Sequence, residues 1–539
     1  MAISSEIPSP TFVEFEAGAS TGLDLLGLRI PVQAIGNRLL NGITTVTPTV
    51  RYFSLRTWLL HQYMQAEPPP ADLYRNFVAY AKHAEAAFTM ANLWRDRETL
   101  GLIGPNKGKE KLDQEEEPWS LEPLVKQPAV RIYGSPSDEL RLTQSRGEGI
   151  PILVEETGLP LAEAVEQRLG TTVIGQRLKK AEPLDRVSSE ELREFGELFW
   201  AGEVPEGERR ALLAAILPKD PGDNDIRRVG TYALILNLAR LDGSVDETAV
   251  FREALSPVPR VSPLLAKVLD EWALYTVRDA IAVTAEKAFE SVVRFAAAND
   301  PDRVGIEDDR LVREFLDRTL GDQESSLREL GLLDRGEALE DLSLHELSDR
   351  VVASSGAQGC KRSPSGICRW EGGLTEPSVW NAALGAKDGA MILVLTAWLL
   401  AKRRVPGGQD EQPWAISTLS RDGYARFGMS QRILPSLADW RKRNLGVAEV
   451  LAELTYLLLD QHLRIIWSRL ASDPSRDVSI LLRDGNRIIW RSEYSGGRFV
   501  SRIPQAIRWL HQMEILAEGS PTPEGEHLLN RVLATLEGA

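Results

Sequence analysis

The sequence predicts a mainly α, multi-domain helical protein that ends in a small α+β module. Three observations predict it. Apolar residues recur at three- and four-residue spacing over long stretches, as in Trp272, Tyr275, Ile281, Ala285, Phe289, Val292 and Phe295. The 539 residues exceed what one hydrophobic core serves, so two to four domains are expected. Near the C-terminal end the pattern switches to two short alternating runs, DVSILL and RIIWRS, around Arg483-Asp484-Gly485-Asn486. Asp-Gly between such runs signals a tight hairpin.

Taken in order, residues 1–105 read as an N-terminal helical region. TFVEFEA (11–17) alternates like a strand, and Thr47 with Pro48 opens a helical stretch to about Leu100. Residues 106–121, polar and charged, read as a linker loop. Residues 122–187 read as mixed, with AVRIY (129–133) and PILVEE (151–156) as strands. A helical domain follows over 188–353, opened by Ser188 or Ser189 as N-cap with acids in the first turn. It holds one long helix or two stacked ones over 262–298, ended by Asp300 and Pro301. Residues 354–376 read as a Gly/Ser-rich loop.

A second helical domain covers 377–475. Its apolar run 389–401 falls short of the ~20 residues needed to cross a bilayer, so it reads as a buried core helix and no membrane partner is expected. An amphipathic helix is expected over 446–471. The module 476–539 contains the hairpin, a helix near 503–516 and a final helix with Thr522 as N-cap and Pro523 at its first position.

Composition narrows the class further. The net charge of −15 argues against whole-surface binding to nucleic acid, so any such contact is local. The first residues lack the charged start and apolar core of a signal peptide. Cys360 and Cys368 are too few for a disulfide framework and read as free loop thiols in a reducing cytosol. Cytoplasmic placement is the expectation.

The catalytic motifs fail one by one. Gly18-Ala19-Ser20-Thr21-Gly22 matches a nucleophile elbow, but the few residues before it cannot build a hydrolase sheet. Gly104–Lys109 lacks the glycine and hydroxyl residue of a phosphate loop, because Ile103 and Glu110 stand there. His345-Glu346 would need histidine where Asp349 stands. Cys360 and Cys368 are spaced too widely for a usual zinc pair. No lysine has an acid two residues before it, which counts against the common restriction-type nuclease. No cofactor or metal is expected. The helices bearing His61, His83, Arg51, Tyr52, Arg56 and Trp58 read as having one core stripe and one solvated stripe.

The sharpest local feature is a run of arginines, Arg483, Arg487, Arg491, Arg498, Arg502 and Arg508, opposed only by Asp484 and Glu493. Trp490, Tyr494, Phe499 and Trp509 are interleaved, a pattern suited to a nucleic-acid contact. The ending ILAEGSPTPEGEHLL resembles the close of winged-helix domains. That resemblance implies a reading helix begun by Arg498, Ser501 and Arg502, flanked by Arg487 and Arg491 and followed by Arg508. The sequence departs from the pattern between the two helices, where Ala517–Pro521 is too short for a normal wing. The alternative reading is a docking domain whose arginines pair with acids of this chain.

NGITTVTPTVRYFSLRTWLL (41–60) is similar to the start of some large bacterial proteins of phage-defence and mobile gene clusters. The resemblance implies a helical, non-enzymatic subunit that contacts double-stranded DNA or other protein subunits. Two other readings stay open: a hydrolase or nuclease whose site is dispersed in sequence, and a transcriptional regulator.

Overall fold

A computed structural model describes residues 20–21, 24–68, 72–145, 149–180, 184–356, 361–362, 367–370, 373–404, 434–472, 479–498 and 500–538. The strand expected over 11–17 lies outside them. The described residues are mainly helical, at 64%, and their strands pair in twos and threes that staple loops together. The chain forms two compact units from interleaved segments. Unit 1 comprises chiefly Met1–Val32, Thr276–Arg362 and Gly366–Phe499; unit 2 comprises chiefly Gln33–Tyr275 and Val500–Ala539.

In unit 2 the element order begins with α1 (Arg29–Leu39, mostly in this unit), α2 (Arg51–Gln65) and α3 (Leu73–Arg95). The helical stretch expected from Thr47 to about Leu100 thus holds two helices, α2 and α3. Thr47 does not cap the first of them; its hydroxyl closes a turn onto the Thr44 carbonyl. The charged stretch expected as a loop carries α4 (Pro105–Gln114). Pro105 sits in the first turn, where its missing N–H costs nothing, and Leu112 is buried. AVRIY forms no strand. It folds as α5 (Ala129–Ile132), followed by α6 (Gly134–Glu139). Both Glu85 oxygens accept N–H groups of its first turn, from Ala129 and Val130.

Next come α7 (Gly158–Leu169), α8 (Val173–Lys179), α9 (Ser189–Leu198) and α10 (Glu206–Ile216). Ser188 caps α9 in a reciprocal capping box with Glu191, as the sequence expects. Two antiparallel pairs join loops here. They are β2 (Trp119–Ser120) with β5 (Arg186–Val187), and β3 (Thr143–Gln144) with β4 (Ile152–Leu153). Then α11 (Ile226–Asp242) and α12 (Glu247–Leu255) precede a 3-10 turn at Pro263–Leu265 and α13 (Ala266–Asn299), whose residues 266–275 belong to this unit and 276–299 to unit 1. This 34-residue helix is about 50 Å long and confirms the long periodic stretch.

Unit 1 follows. It contains α14 (Asp308–Glu329), α15 (Leu344–Ser354), α16 (Glu376–Gly385), α17 (Ala390–Arg404), α18 (Leu434–Arg443) and α19 (Val447–Ser472). The apolar run at 389–401 is α17, buried from Ala390 through Ala401. No described helix is long and apolar enough to cross a membrane. The hairpin forms where the sequence puts it, from β9 (Leu481–Asp484) and β10 (Arg487–Trp490) around Gly485-Asn486. Gly485 has φ +59°, which a side chain would strain. β6 (Ile306–Glu307) adds a third strand beside β10. β1 (Ser20–Thr21) pairs in parallel with β11 (Tyr494–Ser495).

In the Gly/Ser-rich loop, β7 (Lys361–Arg362) pairs antiparallel with β8 (Cys368–Arg369). Cys368 is disulfide-bonded and not the free thiol expected from the sequence. Cys360 lies outside the described residues. The cysteines therefore do not argue for a reducing compartment.

The chain returns to unit 2 for α20 (Ile503–Gln512) and α21 (Pro523–Gly538). Thr522 caps α21 by accepting the Gly525 N–H at 3.2 Å. The helix expected to reach Leu516 ends at Gln512, and the ten residues between the two helices, 513–522, form a miniature ribbon, β12 (Leu516–Ala517) against β13 (Ser520–Pro521). Its turn needs positive φ at Glu518 (+49°) and Gly519 (+86°). A Cβ on Gly519 would also meet the Gly243 carbonyl oxygen at 2.8 Å.

The two capping boxes, Ser188 with Glu191 in unit 2 and Ser343 with Glu346 in unit 1, carry a direct test. Ser188→Ala and Ser343→Ala are each expected to lower stability by about 1 kcal/mol in urea unfolding.

Candidate interaction surface

The five arginines expected to touch nucleic acid fall in both units. Arg487, Arg491 and Arg498 belong to unit 1, and Arg502 and Arg508 to unit 2. Within unit 1, Arg487 is exposed and donates a long bond of 3.4 Å to the Val304 carbonyl. Arg491 is half-buried and donates to the Ser479 hydroxyl at 2.7 Å. Arg498 donates to Asp279 at 3.2 Å, and its guanidinium lies 4.4 Å from the Trp380 ring centroid. The neighbouring Arg483 pairs with Asp308.

Within unit 2, Arg502 donates to the Leu40 carbonyl at 3.3 Å and to the Asn37 side chain. Burial draws its pKa below the usual arginine value. Arg508 is exposed. The whole of α20 behaves like Arg502. Gln505 donates to Thr45 O, Trp509 donates to Thr47 O at 3.0 Å, and Gln512 accepts the Val50 N–H at 3.0 Å. This helix closes the loop 37–50 and satisfies an N–H group that α2 leaves open at its start.

The titratable groups displaced from ordinary behaviour lie in the interior. α2 has no solvated stripe over its first three turns: Arg51, Ser54, Arg56 and Thr57 are buried alongside Tyr52, Phe53 and Trp58. Arg51 pairs with Glu208, their side chains 0% and 1% exposed, and stacks 3.9 Å from the Phe199 ring centroid. Arg56 donates to Val130 O and Thr143 Oγ1, and burial lowers its pKa to about 10. Burial raises the Glu85 carboxyl to about 7, against the pull of its two N–H donors. Glu85 borders a small cleft with Tyr52, Lys82 and Pro128.

In unit 1, Arg29 pairs with buried Glu286, whose carboxyl is pushed up by burial. His462 is fully enclosed. One ring nitrogen faces Leu25 O and the other takes the Leu481 N–H, while burial lowers its pKa to about 4. These groups hold the chain together by bonding to it. Among the described residues, no three His, Cys, Asp or Glu side chains cluster as a metal site would require.

Among the described residues, unit 1 has an open groove between α14, the 3-10 turn Leu339–Asp341 and α19. It encloses about 730 Å³, counting the space open to solvent. Val312, Leu339 and Leu451 form a buried floor, while Leu316, Leu320, Ala448 and Ala452 are half-exposed walls. The rim carries Asp309, Arg313, Asp317 and Glu340, all exposed. Tyr456 crosses one end and donates to Asp309 at 2.6 Å. Burial, then the Asp309 carboxylate, raises its pKa to about 12. Beyond the groove, α19 carries half-exposed Leu463 and Leu470 and the 71% exposed Trp467, while Leu459 and Ile466 along the same stretch are buried.

The sequence predicts the amphipathic helix over 446–471, able to pack internally or against another chain, but does not single out this surface. Ala448, Ala452, Tyr456, Leu463, Trp467 and Leu470 follow helical spacing. Periodicity marks such a stripe as apolar without saying whether the fold covers it.

Two measurements check the interior. Arg51→Met leaves Glu208 unpaired and is expected to cost about 3–5 kcal/mol in urea unfolding, whereas Arg51→Met with Glu208→Leu recovers most of it. Glu85 keeps its proton in the folded chain to about 7, above its ordinary 4.5. Its contribution is therefore full below that ordinary value and is lost as pH rises through about 7. Stability of Glu85→Gln should accordingly fall less between about pH 5 and pH 8 than that of the intact chain. Searches of protein-family models, curated proteins and solved structures found no match to this chain.

Proposed function

We propose that this chain is a non-enzymatic helical subunit of a bacterial anti-phage assembly and works by binding partner proteins. The observation that carries the reading is the apolar face of α19 that the described residues leave open. Large apolar side chains left open along one helix, with a tryptophan among them, mark protein-binding surfaces. The anti-phage setting rests on the resemblance of residues 41–60 to proteins of phage-defence gene clusters. The order helix, two-stranded ribbon, helix over 503–538 supports reading the C-terminal segment as a winged-helix-like module. Its first turn is spent on loop 37–50, which favours a packing role over base reading.

DNA contact is the second reading, favoured by the exposure of Arg487 and Arg508. One experiment separates the two. The protein purified from its cell of origin is expected to sediment well above its own 59.8 kDa, with other chains present in fixed ratio. Trp467→Ala combined with Leu320→Lys is expected to release them. A free monomer refutes the proposal. Duplex binding that weakens steeply with salt and is lost in Arg487→Ala/Arg508→Ala transfers it to DNA.

A further inference from the structure

We infer that the groove between α14 and α19 takes an amphipathic helix from a partner protein, one whose apolar stripe is flanked by lysine or arginine. The inference rests on the partner-binding reading above and names the partner's chemistry. Shape gives the first argument. The groove lies between two helices and runs along α19 from Ala448 to Tyr456, a rise of about 12 Å, with half-exposed Leu463 and Leu470 and exposed Trp467 further along the same helix. A helix carrying apolar residues at three- and four-residue spacing matches a lane of that form.

Charge gives the second argument. The groove's rim sets Asp309, Asp317 and Glu340 against the single Arg313. An acidic rim favours a basic occupant and repels an acidic one. Trp467, further along α19, supplies the kind of large side chain on which binding energy concentrates.

The test uses the full chain and two synthetic helical peptides with the same leucine stripe, one flanked by lysine and the other by glutamate. Binding is read by fluorescence anisotropy. The lysine peptide is expected to bind saturably and at least about tenfold more tightly than the glutamate peptide, with the gap narrowing in high salt. Trp467→Ala should weaken it about tenfold, and Leu316→Lys/Leu320→Lys should abolish it. The exposed pair Asp317→Lys/Glu340→Lys leaves the apolar floor intact and should reverse the preference between the peptides. Circular dichroism and urea unfolding establish that each variant is folded.

Absence of binding by either peptide overturns the inference, as does equal binding of both or binding that none of the substitutions affects. Sedimentation showing self-association that Leu316→Lys/Leu320→Lys removes also overturns it, because the occupant is then a second copy of this chain. If the peptides fail while the native multi-chain assembly persists, this occupant is wrong and partner binding stands. A monomeric native protein removes the underlying reading itself.

Discussion

Unit 2 depends on a helix that is buried while carrying charge. α2 is enclosed over its first three turns, so its two arginines lose their water and must be repaid by protein groups. Glu208 meets Arg51, and the Val130 carbonyl and Thr143 hydroxyl meet Arg56. Val130 and Thr143 are thereby fixed near α2, and Glu85 fixes the helix that bears Val130. The order of the surrounding loops follows from the need to satisfy a few buried cations. Hydrophobic packing supplies the bulk attraction, and these bonds specify which arrangement is adopted.

Unit 1 uses the same device at smaller scale. His462 and Gln461 on α19 each bond a backbone carbonyl of the segment 25–26, and Arg29 enters the interior against Glu286. Residues at the beginning of the chain are thus held by residues more than 250 positions later. Such contacts carry no local sequence signal. The run Arg-Tyr-Phe-Ser-Leu-Arg reads equally well as a solvated face or as a polar core, because only the tertiary partners decide between them.

That explains what the sequence disclosed and what it withheld. The long helices α13 and α19, the hairpin around Gly485-Asn486, and the caps at Ser188 and Thr522 were legible, since spacing and cap chemistry act within a few residues. The segment 129–133 misled because a short β-favouring run was captured by the Glu85 carboxylate and folded as a helical turn. The charged stretch after Gly104 misled because its polarity reads as a linker loop, whereas Lys, Glu, Gln and Leu are good helix formers. The arginine run was visible, but not the acids, carbonyls and tryptophan that engage most of it. The groove between α14 and α19 was invisible for the complementary reason, since no sequence pattern states that a stripe is left uncovered.

The interleaving of the two units bears on how the protein is made. Unit 2 starts at Gln33 but needs α20 to place Trp509 under Phe53 and to bring Gln512 to the start of α2. On a ribosome those residues emerge only after the whole of 276–499. Unit 1 is therefore the first to have all its segments, although most of it is synthesised later. Until residues 500–538 emerge, unit 2 exposes the apolar faces that α20 and α21 will cover. The nascent chain is thus prone to misassembly until that segment emerges, the interval in which a chaperone or an early-binding partner would matter most.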